Sequence, residues 1–349
     1  MRTVHVVLPG DIDDPLHPSG GNTYDREVCT GLAGLGWSVR EHPVPGSWPH
    51  PQPETPAALA ATLADVPDDS VVLLDGLVAL AAPEETAAAG DRLRLVVLAH
   101  MVAADEAAER TALSAATAVI TTSNWTRDRM LDRHGLPDAR VHVAEPGVRP
   151  AEVTDGSGGG GHLLCVAPVT RAKGHDVLVE ALASIRDLDW QCTCVGPLDV
   201  EPVFVRDLQE RVAELGLADR VGFVGPRVGD DLDTAYVRAD LLVHPTRADT
   251  YAMVVTEALV RGIPVIAARV GGVPATLGQV GGGLPGALVP PGDADALAAG
   301  LRAWLTDADH REGVRGAARG RRLTLTPWRE TVTRVAQVLD EVADGPRGP

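Results

Sequence analysis

Short apolar runs recur along the first 150 positions, each followed by a stretch in which apolar residues return at helical spacing. The runs are VHVVLP (Val4 to Pro9), VVLLDG (Val71 to Gly76), LRLVVLAH (Leu93 to His100), AVITTS (Ala118 to Ser123) and VHVAEPG (Val141 to Gly147). β-rich runs alternating with helical segments predict a parallel sheet joined by crossover helices. The pattern stops at RPAEVTDGSGGGG, Arg149 to Gly161, whose Gly/Ser-rich composition builds no core. Residues 151–161 are therefore expected to form a linker.

Beyond it the alternation starts again. HLLCVAPV, WQCTCVG, RVGFVG, ADLLVHP, IPVIAA and ALVPP read as strands, with helices expected over Val177 to Ile185, Val203 to Leu215 and a stretch ending near Arg261. The economical architecture is α/β, with two Rossmann-like doubly wound domains, 1–150 and 162–326, facing a cleft. Ligands of such sheets bind outside the carboxyl ends of the strands. The last helical stretch, Pro327 to Val342 within 327–349, is long enough to cross back to the first domain. The Pro-dense piece His42 to Pro56 is expected as an extended surface loop.

Composition narrows the function classes. The 349 residues suit about two domains, and 45% hydrophobic with 23% charged residues is the balance of a folded globular chain. A formal charge of -17 repels phosphate backbones and anionic headgroups, so nucleic acid is not an expected partner. No apolar stretch approaches the length of a membrane span. The four cysteines form no C-x-x-C pair, and the chain enters its first strand without an apolar leader, which reads as reduced, cytoplasmic and without structural zinc. P-loop, H-E-x-x-H and G-x-S-x-G motifs are absent. The G-x-G-x-x-G at Gly281 to Gly286 does not stand between a strand and a helix, and D-x-D triplets such as Asp11 to Asp13 occur at close to chance frequency, so neither establishes a dinucleotide or metal site.

Three strand exits carry candidate chemistry. After the first strand, Gly20 and Gly21 precede a helix expected to begin near Thr23. Glycines there admit a close ligand and the helix N-terminus offers N–H donors to an anion, although an ordinary turn has the same composition. After the first strand of the second half, Lys173 and Gly174 stand just before an amphipathic helix. Of 31 basic residues Lys173 is the single lysine, and a compact point charge at a sheet mouth is placed to hold a phosphate. The third exit, ADLLVHPTRADTYAMVVTEAL, carries Asp249 and Glu257 with a helix expected from about Tyr251. Helical geometry across that spacing separates the two acids by roughly 12 Å, beyond the ~5 to 9.5 Å of a hydrolase pair. It suits the two ends of an extended nucleotide sugar, with the N–H groups of Tyr251, Ala252 and Met253 facing the diphosphate. Read separately, Asp249 also fits a helix cap and Glu257 a solvated helix residue.

In their order these segments resemble retaining glycosyltransferases of family 4, with the GT-B fold. The resemblance rests on the GG loop, AVITTSNWTRDRMLDRHGLPDARVHVAEPGV, the KG at Lys173 and Gly174, DRVGFVG, the acid-x7-acid region DTYAMVVTE, RGIPVIAARVGGVP and GALVPPGDADALAAGL. It implies that Lys173 holds the donor diphosphate, Glu257 binds the nucleotide ribose and Asp249 lies near the transferring sugar. His100, ending its strand in LAH, resembles the family's histidine near the donor sugar. No cofactor and no metal is implied. The chain departs from the family where Asp249 replaces the usual glutamate, where Pro168 stands five positions before the lysine in place of arginine, and at Ala275 after GGVP. Arg171, two before Lys173, can supply the charge that Pro168 lacks.

The expected function is transfer of a sugar from a nucleotide-diphosphate donor, with retention, to a soluble small-molecule or carbohydrate acceptor. TYDREVCTGLAGLG sets Asp25 and Glu27 beside Arg26, unlike the basic helix with which family members meet lipid acceptors. A phosphorylase of the same fold and a non-catalytic nucleotide-sugar-binding protein are the alternatives.

Overall fold

The computed structural model describes residues 2–46 and 52–345. It divides into two compact units, one of residues 1–14, 19–147 and 326–349, the other of residues 15–18 and 148–325. Each unit is a two-sided, Rossmann-like α/β structure around a six-stranded parallel sheet.

The first sheet contains β1 (Thr3–Pro9), β2 (Ser38–Val44), β3 (Val71–Asp75), β4 (Arg94–Ala99), β5 (Ala118–Thr121) and β6 (Val141–Val143), in the order β2-β1-β3-β4-β5-β6. The central strands are buried almost throughout, as parallel strands covered on both faces must be, and this is why they read as unbroken apolar runs. The edge strand β2 differs. Its residues SVREHPV are mostly solvent-facing, and Pro43 is accommodated because an edge strand leaves one row of N–H positions unpaired. The sequence SVREHPV has no apolar run, so this strand was hidden from the pattern. The expected loop from His42 to Pro56 is corrected accordingly: His42 to Val44 belong to β2, and Thr55 opens the helix Thr55–Ala64. Residues 47–51 of that stretch lie outside the described residues.

The second sheet contains β7 (His162–Val166), β8 (Gln191–Val195), β9 (Val221–Phe223), β10 (Leu241–His244), β11 (Val265–Ala268) and β12 (Gly286–Val289), ordered β12-β11-β10-β7-β8-β9. Successive strands build outward from β7 in one direction and then from β10 in the other, so the order reverses between β7 and β10. In the first sheet it reverses between β1 and β3. Such switch points open a crevice at the strands' carboxyl ends, because the connections leave on opposite faces.

The Gly-rich stretch expected as a linker is tied to the second unit. The Thr154 hydroxyl donates to the Val237 carbonyl at 2.6 Å, and the buried Asp240 carboxylate accepts the N–H groups of Ser157 and His162, each at 2.9 Å. The Trp304 indole donates to the Gly160 carbonyl at 2.7 Å. Gly and Ser build no core of their own, but their exposed backbone groups are satisfied by neighbouring polar side chains.

The last helix, Trp328–Asp344, packs within the first unit. Trp328, Val332, Val335, Leu339 and Val342 are buried at alternating spacings of four and three, the stripe of an amphipathic helix. Trp328 meets Tyr24 edge-on at 5.6 Å, the Thr331 hydroxyl donates to the Glu145 carbonyl at 2.7 Å, and Arg94 donates to the Val342 carbonyl at 2.9 Å. Among the described residues no helix is long and apolar enough to cross a membrane.

The helix enters directly over Gly147, where an added Cβ would come within 2.3 Å of the Trp328 backbone nitrogen. Gly147→Ala is therefore expected to cost about 1–3 kcal/mol through overpacking, read as a lower urea midpoint for the first unit. An unchanged midpoint would show that the contact yields freely.

Candidate functional site

In the second unit the two loops that leave the switch point are stitched together. Gly174 adopts φ +72, and a Cβ there would stand 2.2 Å from the Pro245 carbonyl oxygen; only glycine lets the β7 loop approach the β10 loop so closely. The Arg247 N–H donates to the Ala172 carbonyl at 2.8 Å. Its guanidinium donates to the Arg171 carbonyl at 2.7 Å and grips Asp176 through both carboxylate oxygens at 2.8 and 2.7 Å.

This places Lys173 against Asp249. The ammonium donates to Asp249 Oδ2 at 2.9 Å, and His244 Nε2, at the end of β10, lies 3.2 Å from the same oxygen. The other oxygen, Oδ1, accepts the N–H of Ala252 at 2.8 Å and of Tyr251 at 3.3 Å. Ala252 is held at φ +67, a left-handed conformation unusual for a residue with a side chain. Burial alone would push the Asp249 carboxyl up, but the Lys173 charge and the His244 contact hold it well below the usual carboxylate range. The group is thus a fixed anion with both oxygens engaged.

Glu257 lies on the helix Met253–Val260, where its Oε2 accepts the Tyr236 hydroxyl at 2.7 Å. Burial pushes this carboxyl up, against the Tyr236 hydrogen bond, and raises the Tyr236 phenol in turn. Arg261 lies over the Tyr236 ring at 4.7 Å.

Three expectations for this loop are corrected. The helix starts at Met253 rather than Tyr251. The N–H groups of Tyr251 and Ala252 point to the Asp249 carboxylate rather than outward to a diphosphate, because a short acid two and three residues upstream captures them first. The roughly 12 Å helical separation of Asp249 and Glu257 does not apply, since residues 249–252 are not helical. The Arg171 guanidinium lies over the Phe204 ring at 4.9 Å.

In the first unit, Ser19 caps the helix Gly20–Gly34 by accepting the Asn22 N–H at 3.0 Å. Gly20 and Gly21 are its opening residues, not a loop ahead of Thr23. The capping serine moves the start upstream, and the first N–H groups of the turn have no partner within the helix. Gly21 lies against the His100 ring, 3.5 Å from an added Cβ to Cδ2. His100 Nε2 is 2.8 Å from Asp25 Oδ1 and 3.4 Å from Asp75 Oδ2. The 2.8 Å approach is the length of a charge-assisted hydrogen bond. Burial would lower the His100 pKa; Asp25 and then Asp75 reverse this and push it up to about 10. Asp25 is 1% exposed and turned to His100.

Sequence reasoning missed His244, Asp75 and Tyr236 as partners of the singled-out residues. His244 and Asp75 each close a strand flanking a switch point, the same signal that His100 gave. Nothing in the spacing marks Tyr236, which reaches Glu257 from the separate helix Gly229–Arg238.

Because Asp249 titrates lower in the folded chain than its ordinary 3.8, it contributes stability present above about pH 4 and lost as pH falls through the folded value. Lys173→Met leaves a buried carboxylate without its cation and is expected to cost about 3 kcal/mol at pH 7. Urea unfolding at pH 7 is expected to show that loss for Lys173→Met and a smaller one for Lys173→Arg, which keeps the charge; an equal loss in both would remove the ion pair as its cause.

Residues 157–321, which include Lys173, His244, Asp249 and Glu257, match the family described as Glycosyl transferases group 1. D-inositol 3-phosphate glycosyltransferase of Salinispora tropica is 32% identical over 237 residues, covering 61% of this chain and 48% of the relative. The chain spans about half the length of the curated relatives it matches. Among solved structures, sucrose-phosphate synthase of Thermosynechococcus elongatus is similar with a TM-score of 0.80 at 22% identity, over 98% of this chain and 99% of that one. Anabaena Alr3699/HepE in complex with UDP and glucose is similar with a TM-score of 0.78 at 17% identity, over 98% and 100%. The second unit is therefore similar in sequence to group 1 glycosyl transferases, and the chain has the two-domain Rossmann-like α/β fold of GT-B glycosyltransferases.

Proposed function

We propose that the protein is a retaining, family 4 type glycosyltransferase that takes a sugar from a nucleotide-diphosphate donor. The observation that carries this reading is the single lysine of the chain, fixed beside an ionised Asp249 at the switch point of the unit that matches group 1 glycosyl transferases. In this reading Lys173 stabilises the diphosphate as the bond between the sugar C1 and the phosphate oxygen breaks and the electron pair passes to that oxygen. Electrostatic stabilisation of the leaving charge by a fixed cation is a large contribution to such reactions. The acceptor oxygen attacks C1 from the same face and its proton passes to the departing phosphate. Asp249, anionic at neutral pH, suits the positive charge that develops on the sugar ring, and Glu257 receives the nucleotide ribose. The chemistry proposed uses no metal.

The acceptor is proposed to be a small molecule or carbohydrate free in solution, in the cytoplasm. Arg26 is the cation in the solvent-facing part of the helix Gly20–Gly34, and it is neutralised by Asp13 at 2.7 Å and Glu41 at 2.6 Å, leaving little attraction for anionic headgroups. The relative named D-inositol 3-phosphate glycosyltransferase favours such an acceptor, and four free, buried cysteines fit a reducing compartment.

The test is thermal stabilisation by UDP, GDP, ADP and their sugar conjugates. A ligand of the folded state at about 100 times its Kd adds ~2.7 kcal/mol, so one diphosphate is expected to raise the midpoint clearly. Lys173→Ala is expected to weaken that ligand by at least ~1.5 kcal/mol, about tenfold. No stabilisation by any of them at millimolar concentration would overturn the reading.

A further inference from the structure

The helix Gly20–Gly34 presents two features to one side of the His100 ring. Gly21 and Asp25 are four residues apart and so share a helix face; the first brings bare backbone against the ring, the second a carboxylate to its nitrogen. The other acid arrives from β3. Asp75 is in register with Leu98 of β4, which places it beside the strand end that carries His100. Its Oδ1 accepts the Val78 N–H at 3.1 Å and caps the following helix, while Oδ2 faces His100 at 3.4 Å. Asp25 is 1% and Asp75 3% exposed. Two buried carboxylates thus converge on one ring nitrogen.

We propose that Asp25 and Asp75 are positioning residues for His100, gripping Nε2 so that the ring is held in one orientation and cannot take up a proton during the reaction. The inference deepens the proposed role of His100 beside the donor sugar and rests on it; the grip itself stands on the contacts alone. A nitrogen lone pair facing two carboxylates would be repelled, so Nε2 carries its hydrogen, and the ring is a donor at both nitrogens once protonated. Two further groups near the ring are engaged elsewhere. Tyr24 meets it edge-on at 5.2 Å, with its hydroxyl given to the Ala144 carbonyl. Glu109, which lines the same small apolar cavity as His100, is engaged by Arg133 at 3.0 Å and His134 at 2.7 Å. Burial pushes Asp25 up to about 6, restrained by His100, and His100 is pushed up to about 10. The carboxylates thus hold the ring protonated at neutral pH, and a protonated His100 leaves the departing phosphate as the base. Since the His100 pKa is raised on folding, its contribution to stability is complete below about pH 6.5 and is lost as pH rises through about 10.

The deciding measurement is the NMR titration of the imidazole nitrogens of the full chain from pH 6 to pH 9, with the His100 signal assigned by its loss in His100→Gln. The proposal expects a protonated ring whose shifts stay flat across this range. It expects Asp25→Asn, and more weakly Asp75→Asn, to bring a titration into the range, and Asp25→Glu to move it back upward. A His100 signal in the unaltered chain that titrates between pH 6 and pH 8 overturns the grip, and this result needs neither of the aspartate variants to fold. A titration unmoved by Asp25→Asn overturns it as well. A flat His100 signal in a chain that no nucleoside diphosphate stabilises would instead leave the grip intact and remove the glycosyltransferase reading.

Discussion

The arrangement of the second unit's site depends on one buried carboxylate. Asp249 closes the β10 loop by accepting two backbone amides and joins that loop to the β7 loop through Lys173, with His244 as a third contact on the strand end. A charge in such surroundings is tolerated only with its partners in place. The close approach of the two loops, permitted by Gly174, and the left-handed turn at Ala252 are the local geometry within which those partners reach it. A glutamate would carry the same charge one methylene further out, where the capture of the Tyr251 and Ala252 amides by a short side chain is no longer assured.

The strands covered on both faces were legible because burial on both sides demands an apolar residue at nearly every position; Val71 to Asp75 and Leu241 to His244 are examples. The edge strand Ser38–Val44 was not, since a strand with one free side and exposed side chains has no reason to be apolar. The bonds of the Gly-rich stretch after Arg149 were hidden for a related reason. Composition says that such residues cannot form a core, but not that Asp240 and Trp304 will bind their backbone.

Within the candidate site, sequence identified the residues better than their bonding. Lys173 stood out as the one lysine among arginines, and Asp249 and Glu257 by their spacing. Which atoms each would meet depended on loop conformation. Treating residues 249–252 as helix left their amides available, whereas the actual turn directs two of them inward. His100 was visible as a strand-end histidine, but Asp25 was read only as an acid beside Arg26. Its neighbours Arg26 and Glu27 are polar, and helical periodicity alone cannot tell an acid facing solvent from one facing a buried base.

The passage of the chain from the first unit through the second and back has a consequence for assembly. The hydrophobic stripe of Trp328–Asp344 covers the helix Gly20–Gly34 and neighbouring strands, so the first unit lacks part of its core until residues 328–344 have been made. During synthesis from the N-terminus, the second unit can complete itself while the first still waits. The usual order of domain folding on the ribosome is thereby inverted, and Tyr24 and its apolar neighbours stay without their cover until the second unit and the helix after it have been made.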